Sequence, residues 1–455
     1  MIGGLIKSNR VAALAGAGFI AGALAVSPAQ AADLGGDCCA DLEERVATLE
    51  ATTARKGNRK VSLTISGWVN TGLYIWDDGV DSDAYVVTDN GNTLGTRITF
   101  AGSAKINSDW SAGYAITIEP QDAEALIGVT QLNDDGEAVP GIGVLESYMY
   151  VKSEQLGKLS WGLQSQATDN VGIVDLSGSI FSSIPVVFRG NAFQLRSSTG
   201  GSFSAAGANA AGLSGGLAFG SLINCTGIGL GIGNDCNGLL TNSIKYESPT
   251  ISGFTLSTSW GEDDFYDVAL KYAGQFGDFK VAGAVGYTNT QSDNANGVGA
   301  ALAAGTDVEI YSFAGSIMHV PTGIFVNVTY AFEDIDSIGG VRVGTGALAG
   351  MEDSPDSIYI KAGIKQKWNS LGATAIYGEW GQYNDQYTSA LFTSGVTGSE
   401  VTRYGAAIHQ WIDAASMQMY AKWNTFEFEV DGTNDLATSG IEDFTEFTVG
   451  GVIFF

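Results

Sequence analysis

Residues Asp443–Phe455 read DFTEFTVGGVIFF. Counting back from Phe455 in twos gives Ile453, Gly451, Val449 and Phe447, an unbroken apolar row with Glu446 and Thr448 between its members. A period of two is the mark of a β-strand whose alternate side chains leave opposite faces. One face of this strand therefore requires an apolar surrounding, and the rest of the chain decides which.

The same alternation recurs upstream. VSLTISGWVN (Val61–Asn70) places Val61, Leu63, Ile65, Gly67 and Val69 opposite Ser62, Thr64, Ser66 and Asn70. TRITFAGSAKI, GIFVNVTYAF and SMQMYAKWN (starting at Thr96, Gly323 and Ser416) repeat it. A sandwich turns such an apolar face inward; a transmembrane barrel turns it to lipid and keeps the polar face in a wet lumen. Connection lengths choose between them. Sixteen strands are expected near 61–76, 96–106, 110–119, 145–153, 157–166, 241–248, 253–261, 264–274, 278–288, 307–318, 322–333, 356–368, 371–382, 402–411, 415–429 and 443–455. Short connections such as NSD, SEQLG and NSLG alternate with long ones at 77–95, 120–144, 167–240, 289–306, 334–355, 383–401 and 430–442, with GEDD the one short exception. Short turns at one end and long loops at the other are the pattern of an outer-membrane barrel. Both ends of the strand set fall on the short-turn side, so pairing the last strand with the first removes both open edges. The expected fold is an all-β, 16-stranded antiparallel transmembrane barrel, with 443–455 as its lipid-facing closing strand.

Bulk properties agree. The chain has 455 residues with 63 Gly, 7 Pro and a net charge of −27. Such acidity without a basic patch excludes nucleic acid as a partner. Lys7 and Arg10 followed by the apolar run Val11–Val26 and the small residues Ala29 and Ala31 make residues 1–31 an expected signal peptide, cleaved after Ala31. Residues 32–60 form an expected periplasmic leader, with Leu42, Val46, Leu49 and Thr53 on one face of a short amphipathic helix. It serves as a leader packed by the barrel mouth or, alternatively, as a self-association helix. Residues 61–455 are the barrel. Tyr114, Tyr246, Tyr272, Tyr287, Tyr330, Trp368 and Trp423 fall at outward phase and suit the aromatic belts of a bilayer interface. The acidic long loops would reach the surface lipid, lipopolysaccharide included, through divalent cations.

Several stretches resemble the general porins of alphaproteobacteria: ADLGGDCCADLEERVATLEATTARKGNRKVSLTISGWVN, SPTISGFTLSTSWGEDD, DVALKYAG and LGKLSWGLQSQATDNVGIVDLSGS. The likeness covers essentially the whole chain. It implies a homotrimeric porin passing small hydrophilic solutes and ions by passive diffusion through a water-filled channel. It also implies that the long 167–240 loop folds inward to constrict the pore, and that Phe455 is the terminal signal read by the outer-membrane assembly machinery.

On that basis the loop offers Asp169 and Asp175, and the wall offers Arg97, Lys245, Lys271, Lys361, Lys365 and Arg403 at inward phase, together with Lys422. Acid on the loop opposite base on the wall would set a field across the narrowing and tune ion preference. Arg189 and Arg196 would bind back to the wall or to the loop's own acids. Cys225 and Cys236 are placed to clip the loop with a disulfide in an oxidising compartment; the adjacent Cys38 and Cys39 receive no assignment. Trp68, Tyr74, Trp76 and Trp380 read inward, and such a track would suit a substrate-specific sugar channel. A plugged structural barrel is a further alternative. With two His, no metal spacing, no phosphate loop, and GLSGG (Gly212–Gly216) reading as Gly-rich loop rather than a strand-to-helix nucleophile elbow, nothing supports an enzyme, and no cofactor is implied.

Overall fold

The computed structural model describes residues 60–87, 94–121, 130–131, 141–185, 193–204, 206–210, 216–223, 225, 240–261, 265–292 and 305–455. The expected signal peptide, the leader helix, Cys38, Cys39, Arg189 and Cys236 lie outside them.

Sixteen strands make the wall: β1 (Thr64–Asp77), β2 (Arg97–Lys105), β3 (Trp110–Gln121), β4 (Gly141–Ser153), β5 (Gly157–Ser165), β6 (Leu240–Glu247), β7 (Phe254–Gly261) and β8 (Tyr266–Phe276) form the first half. The second half is β9 (Phe279–Ser292), β10 (Thr306–His319), β11 (Ile324–Ile338), β12 (Asp356–Gln366), β13 (Thr374–Asn384), β14 (Val396–Ile412), β15 (Met417–Gly432) and β16 (Phe444–Phe454). Each pairs antiparallel with the next, and β16 pairs with β1 from Trp68↔Phe454 to Asp77↔Thr445, which closes the barrel. Phe455 extends the seam: its N–H donates to the Gly67 carbonyl (3.1 Å) and its carbonyl accepts from the Gly67 N–H (3.0 Å). Its ring leans over Gly67, where a Cβ would meet the Arg97 carbonyl at 2.1 Å. An aromatic covering a bare strand glycine is a known way of shielding such a site.

The faces sort as the opening stretch requires. On β16, Phe447, Val449 and Ile453 are 40%, 38% and 46% exposed, whereas Glu446 and Thr448 point inward and are buried. Outside, Tyr266, Tyr287, Tyr311 and Phe332 form a continuous row of ring contacts near the long-loop ends of β8–β11, the first two tilted and the last stacked. Phe254–Tyr272–Phe276 and the Phe279–His319 pair sit near the short-turn ends. Eight residues separate Phe279 from Tyr287 on β9. That is about 26 Å along the strand and about 20 Å of height at the usual tilt, close to the apolar band of an outer-membrane barrel.

Among the differences from the sequence reading, which include several strand ends displaced by a few residues, four bear on the lumen. The 77–95 connection contains a six-residue strand of its own, Ser82–Val87, paired antiparallel with the outer part of β1. Strand β14 begins six residues earlier than expected, at Val396, because its outer end continues to pair with β15 beyond the bilayer. Strand β13 starts three residues later, at Thr374. Its inward row is Ala375, Tyr377, Glu379 and Tyr383, so Trp380 points outward and is not part of an inner aromatic track. A one-residue slip exchanges faces, and on β13 both rows carry aromatics, so hydropathy does not fix the phase.

The lumen is not empty. The described residues of 193–204, 206–210 and 216–223 and the turns after β1, β11, β13 and β15 fold against the inner faces of the long-loop ends of β1 and β13–β16. There Tyr74, Trp76, Phe193, Leu195, Phe203, Phe219, Tyr383, Leu391, Phe426 and Phe444 form one buried apolar core. Arg196 stands at its edge, held by Asp78 (2.7 Å) and Asp81 (2.7 Å) of the turn after β1.

Candidate functional site

Leaving β5 at Ser165, the chain enters the lumen and runs along the inner wall. Inward-facing hydroxyl, amide and carboxylate groups of each strand take its backbone in turn. Asp267 on β8 accepts from both the N–H and the hydroxyl of Thr168 (2.7 Å each). Ser316 on β10 accepts from Leu176 N–H (3.1 Å), and Thr329 on β11 donates to the Gly172 carbonyl (2.8 Å). A buried loop must satisfy its backbone polar groups from such partners. A polar inner wall supplies them.

The wall cations do most of the gripping. Lys361 on β12, 1% exposed, donates to Asp175 Oδ2 (2.9 Å), Ser179 Oγ (3.2 Å) and the Ser183 carbonyl (2.8 Å). Lys365 donates to the Ser177 carbonyl (2.6 Å) and lies 3.9 Å over the Trp411 ring. Arg403 on β14, also 1% exposed, donates to the Ile184 carbonyl (2.9 Å) and to Ser183 Oγ (3.2 Å). It also pairs with Glu379 at 2.6 Å. Lys271 donates to the Asp169 carbonyl (3.1 Å) and Lys245 to that of Ser165 (2.8 Å). Asp175 is the loop's anionic anchor. Burial works against its ionisation. The Lys361 ammonium and hydrogen bonds from Ser177, Lys361 and Asn327 outweigh that and hold its carboxyl at about 2. Asp169 has the opposite balance: burial raises its carboxyl above the ordinary value, although Lys271 and Lys245 pull the other way.

The expected cations Lys245, Lys271, Lys361, Lys365 and Arg403 all contact the loop, but their geometry differs from charges facing each other over a water gap. Lys361 and Asp175 touch, and Lys361, Lys365 and Arg403 stand behind the loop. The opposed charges meet because inward-facing long side chains reach the loop's carbonyls once it lies on the wall. Arg97 lies elsewhere, on the uncovered side, paired with Glu119 (2.7 Å) and 4.9 Å over Trp68.

Glu379 is the functional residue that sequence reasoning missed. It takes Arg403, Tyr359 (2.6 Å) and Ser183, with Lys422 3.9 Å away. Opposite it across the strand pair is Gly405, where a Cβ would fall 2.7 Å from Glu379 Oε1 and 2.2 Å from Asn424 Nδ2. Its signal was the cross-strand register Lys361↔Glu379, which the misphased β13 concealed. His409, by contrast, is a packing residue, buried between Ser182 Oγ (2.9 Å) and Gln418 Oε1 (2.9 Å).

The loop's tip reaches the seam, where Phe181 meets Trp68 and Phe454 edge-on at 5.6 and 5.5 Å. From its root it has thus covered the wall from β7 to β16. The sequence of this sixteen-stranded barrel matches a family model described as Gram-negative porin over residues 12–431. The chain belongs to the Gram-negative porin family. As a porin it is an outer-membrane channel for passive diffusion. Among solved structures, the anion-selective porin from Comamonas acidovorans has the same fold, with a TM-score of 0.54 at 14% identity over 87% of this chain and 100% of that one. The trimer form of in-vitro folded OmpT of Vibrio cholerae gives 0.49 at 13% over 87% and 99%, and a mutant porin of Rh. blastica 0.41 at 13% over 86% and 100%. No curated protein matches the sequence. On the porin's uncovered side, inward groups of β2–β6 keep partial exposure: Arg97, Glu119, Glu146, Tyr148, Tyr150 and the Lys158–Glu247 pair.

Proposed function

We propose that the conducting passage runs off-centre, between the 166–185 loop and the β2–β6 wall, and that small hydrophilic solutes and ions cross there. The observation that carries this is the one-sided coverage: the loop and the outer apolar core occupy the β7–β16 side, and the partly exposed ionisable groups cluster on the other. Asp169, Lys245 and Lys271 then border the narrowing. Asp175, Lys361, Lys365 and Arg403 set its width by fixing the loop, and Arg97 contributes to the opposite rim. A rim with both signs of charge makes ion preference a local balance rather than a reading of the net −27.

In this proposal the porin is a homotrimer of the alphaproteobacterial branch. It is exported by cleavage after Ala31, seats its acidic outer turns against lipopolysaccharide, and has a loop clip between Cys225 and Cys236. Cys225 is buried and disulfide-bonded, which supports the last point. The experiment is single-channel recording of the purified protein in a planar bilayer under a salt gradient. Steps in threes, nearly linear in voltage, are expected. Silence from correctly folded barrels would favour the second reading, a plugged barrel, which the apolar core across the outer lumen supports.

A further inference from the structure

At the loop root, on the short-turn side, a cavity of about 200 Å³ opens between Ser165–Asn170 and the inner faces of β6, β7 and β8. Lys245, Lys271 and Gln166 converge on it, with Asp169, Glu247, Thr255 and Ser257 completing the lining. It holds a handful of waters or one small solute, well short of the 300–1,000 Å³ typical of drug-sized sites.

Three observations say what it would take. Gln166 is 2% exposed, yet neither its amide nitrogen nor its amide oxygen has a partner among the described residues. Such a group costs folding energy unless something occupies the space it faces. Each lysine spends one N–H on a loop carbonyl, and neither makes an ion pair with a carboxylate among the described residues. Of the two carboxylates present, Glu247 is engaged by Lys158, and Asp169 accepts the Asn170 amide at 2.7 Å. The unspent hydrogen-bonding capacity is thus two ammonium groups, a buried amide donor and a buried amide acceptor; the three donors outnumber the acceptor and suit a carboxylate's two oxygens.

We propose that this cavity is a binding site for small organic carboxylates. It lets the porin hold such anions beside the passage before releasing them through it. The proposal rests on the loop being the border of the conducting path. Its occupant is defined by one carboxylate group and a short carbon chain; a zwitterionic amino acid would instead need Asp169 or Glu247 free for its ammonium.

The test is calorimetric titration of the detergent-solubilised full chain with acetate and with succinate, alongside glycine. Saturable binding of the carboxylates is expected, with a Kd on the order of 1 mM. Gln166→Ala and Lys271→Met should each weaken it about tenfold or more, the usual cost of a lost charge-assisted hydrogen bond. Heat-modifiable migration on a gel establishes that each variant is folded, and Lys245→Met serves if the loop substitution is not. Absent saturation, variants that bind like the parent, or glycine binding as well as acetate would overturn the assignment. Bilayer recordings on the same preparation separate the two readings. Conduction without carboxylate binding sinks this site alone, and binding without conduction sinks the diffusion reading while the site stands.

Discussion

Lys361→Met removes the central latch of the inner loop. The ammonium makes three hydrogen bonds to it, two to side chains and one to a carbonyl, from a position almost free of solvent. Asp175 would then lie buried with Asn327 Nδ2 and the Ser177 and Ser179 N–H groups as its donors. Breaking one side of a buried pair typically costs about 3–5 kcal/mol because the other charge stays behind. The wall does not depend on this pair; its strands are joined by their own ladders. The cost therefore falls on the docked loop, whose docked-to-free ratio should drop by about two to nearly four powers of ten. Single-channel records should show a larger open level or rapid flicker, with heat-modifiable migration unchanged. Adding Asp175→Asn should recover part of the loss, since no unpaired charge remains. A folded Lys361→Met channel with the parent's conductance and noise would refute the idea that this contact holds the loop.

Acid should loosen the same latch. The Asp175 carboxyl is lowered from 3.8 to about 2, so its ionisation stabilises the docked loop fully above about pH 4. Loop-derived current noise should stay flat from neutral pH to about 5 and rise as pH falls through the interval to about 2; noise independent of pH across it would contradict the assignment. Phe193→Ala deletes a ring packed on Tyr74, Trp76 and Phe444 and should cost about 3–5 kcal/mol of the outer core. Limited proteolysis should then cut within 193–223 while leaving the wall intact. Val449→Arg, on the lipid face, should destabilise the folded barrel by about 2–4 kcal/mol in denaturant titrations in lipid. Glu146→Gln, on the uncovered inner face, should instead alter ion preference with little change in stability.

Most of the wall was legible because period-two alternation is an immediate consequence of lipid on one side and water on the other. The row Phe447, Val449, Gly451, Ile453 and Phe455 and its copies on β1, β11 and β15 needed nothing but counting. Loop lengths by parity gave the closure. The candidate site was half legible. Lys361, Lys365 and Arg403 could be placed on the inner face, but whether the loop lies on them or across from them is a tertiary matter. Glu379 was lost through Trp380: with aromatics in both rows of β13, the phase is set by pairing with β12 and β14, which local sequence does not contain. Gln166 had no signal at all, since an unpartnered amide is visible only when its surroundings are.

Closure of β16 on β1 has a kinetic side. The two strands that meet at Trp68↔Phe454 are separated by almost the whole folded chain, so theirs is the longest-range contact in the ring. Local hairpins can form early, but this seam requires the largest loss of chain entropy and has the fewest intermediate contacts to guide it. Until it forms, β1 presents one unpaired edge, an invitation to the wrong neighbour. The last strand thus acts as the rate-setting clasp of assembly, and its register decides whether fifteen correctly made strands become a channel or an aggregate.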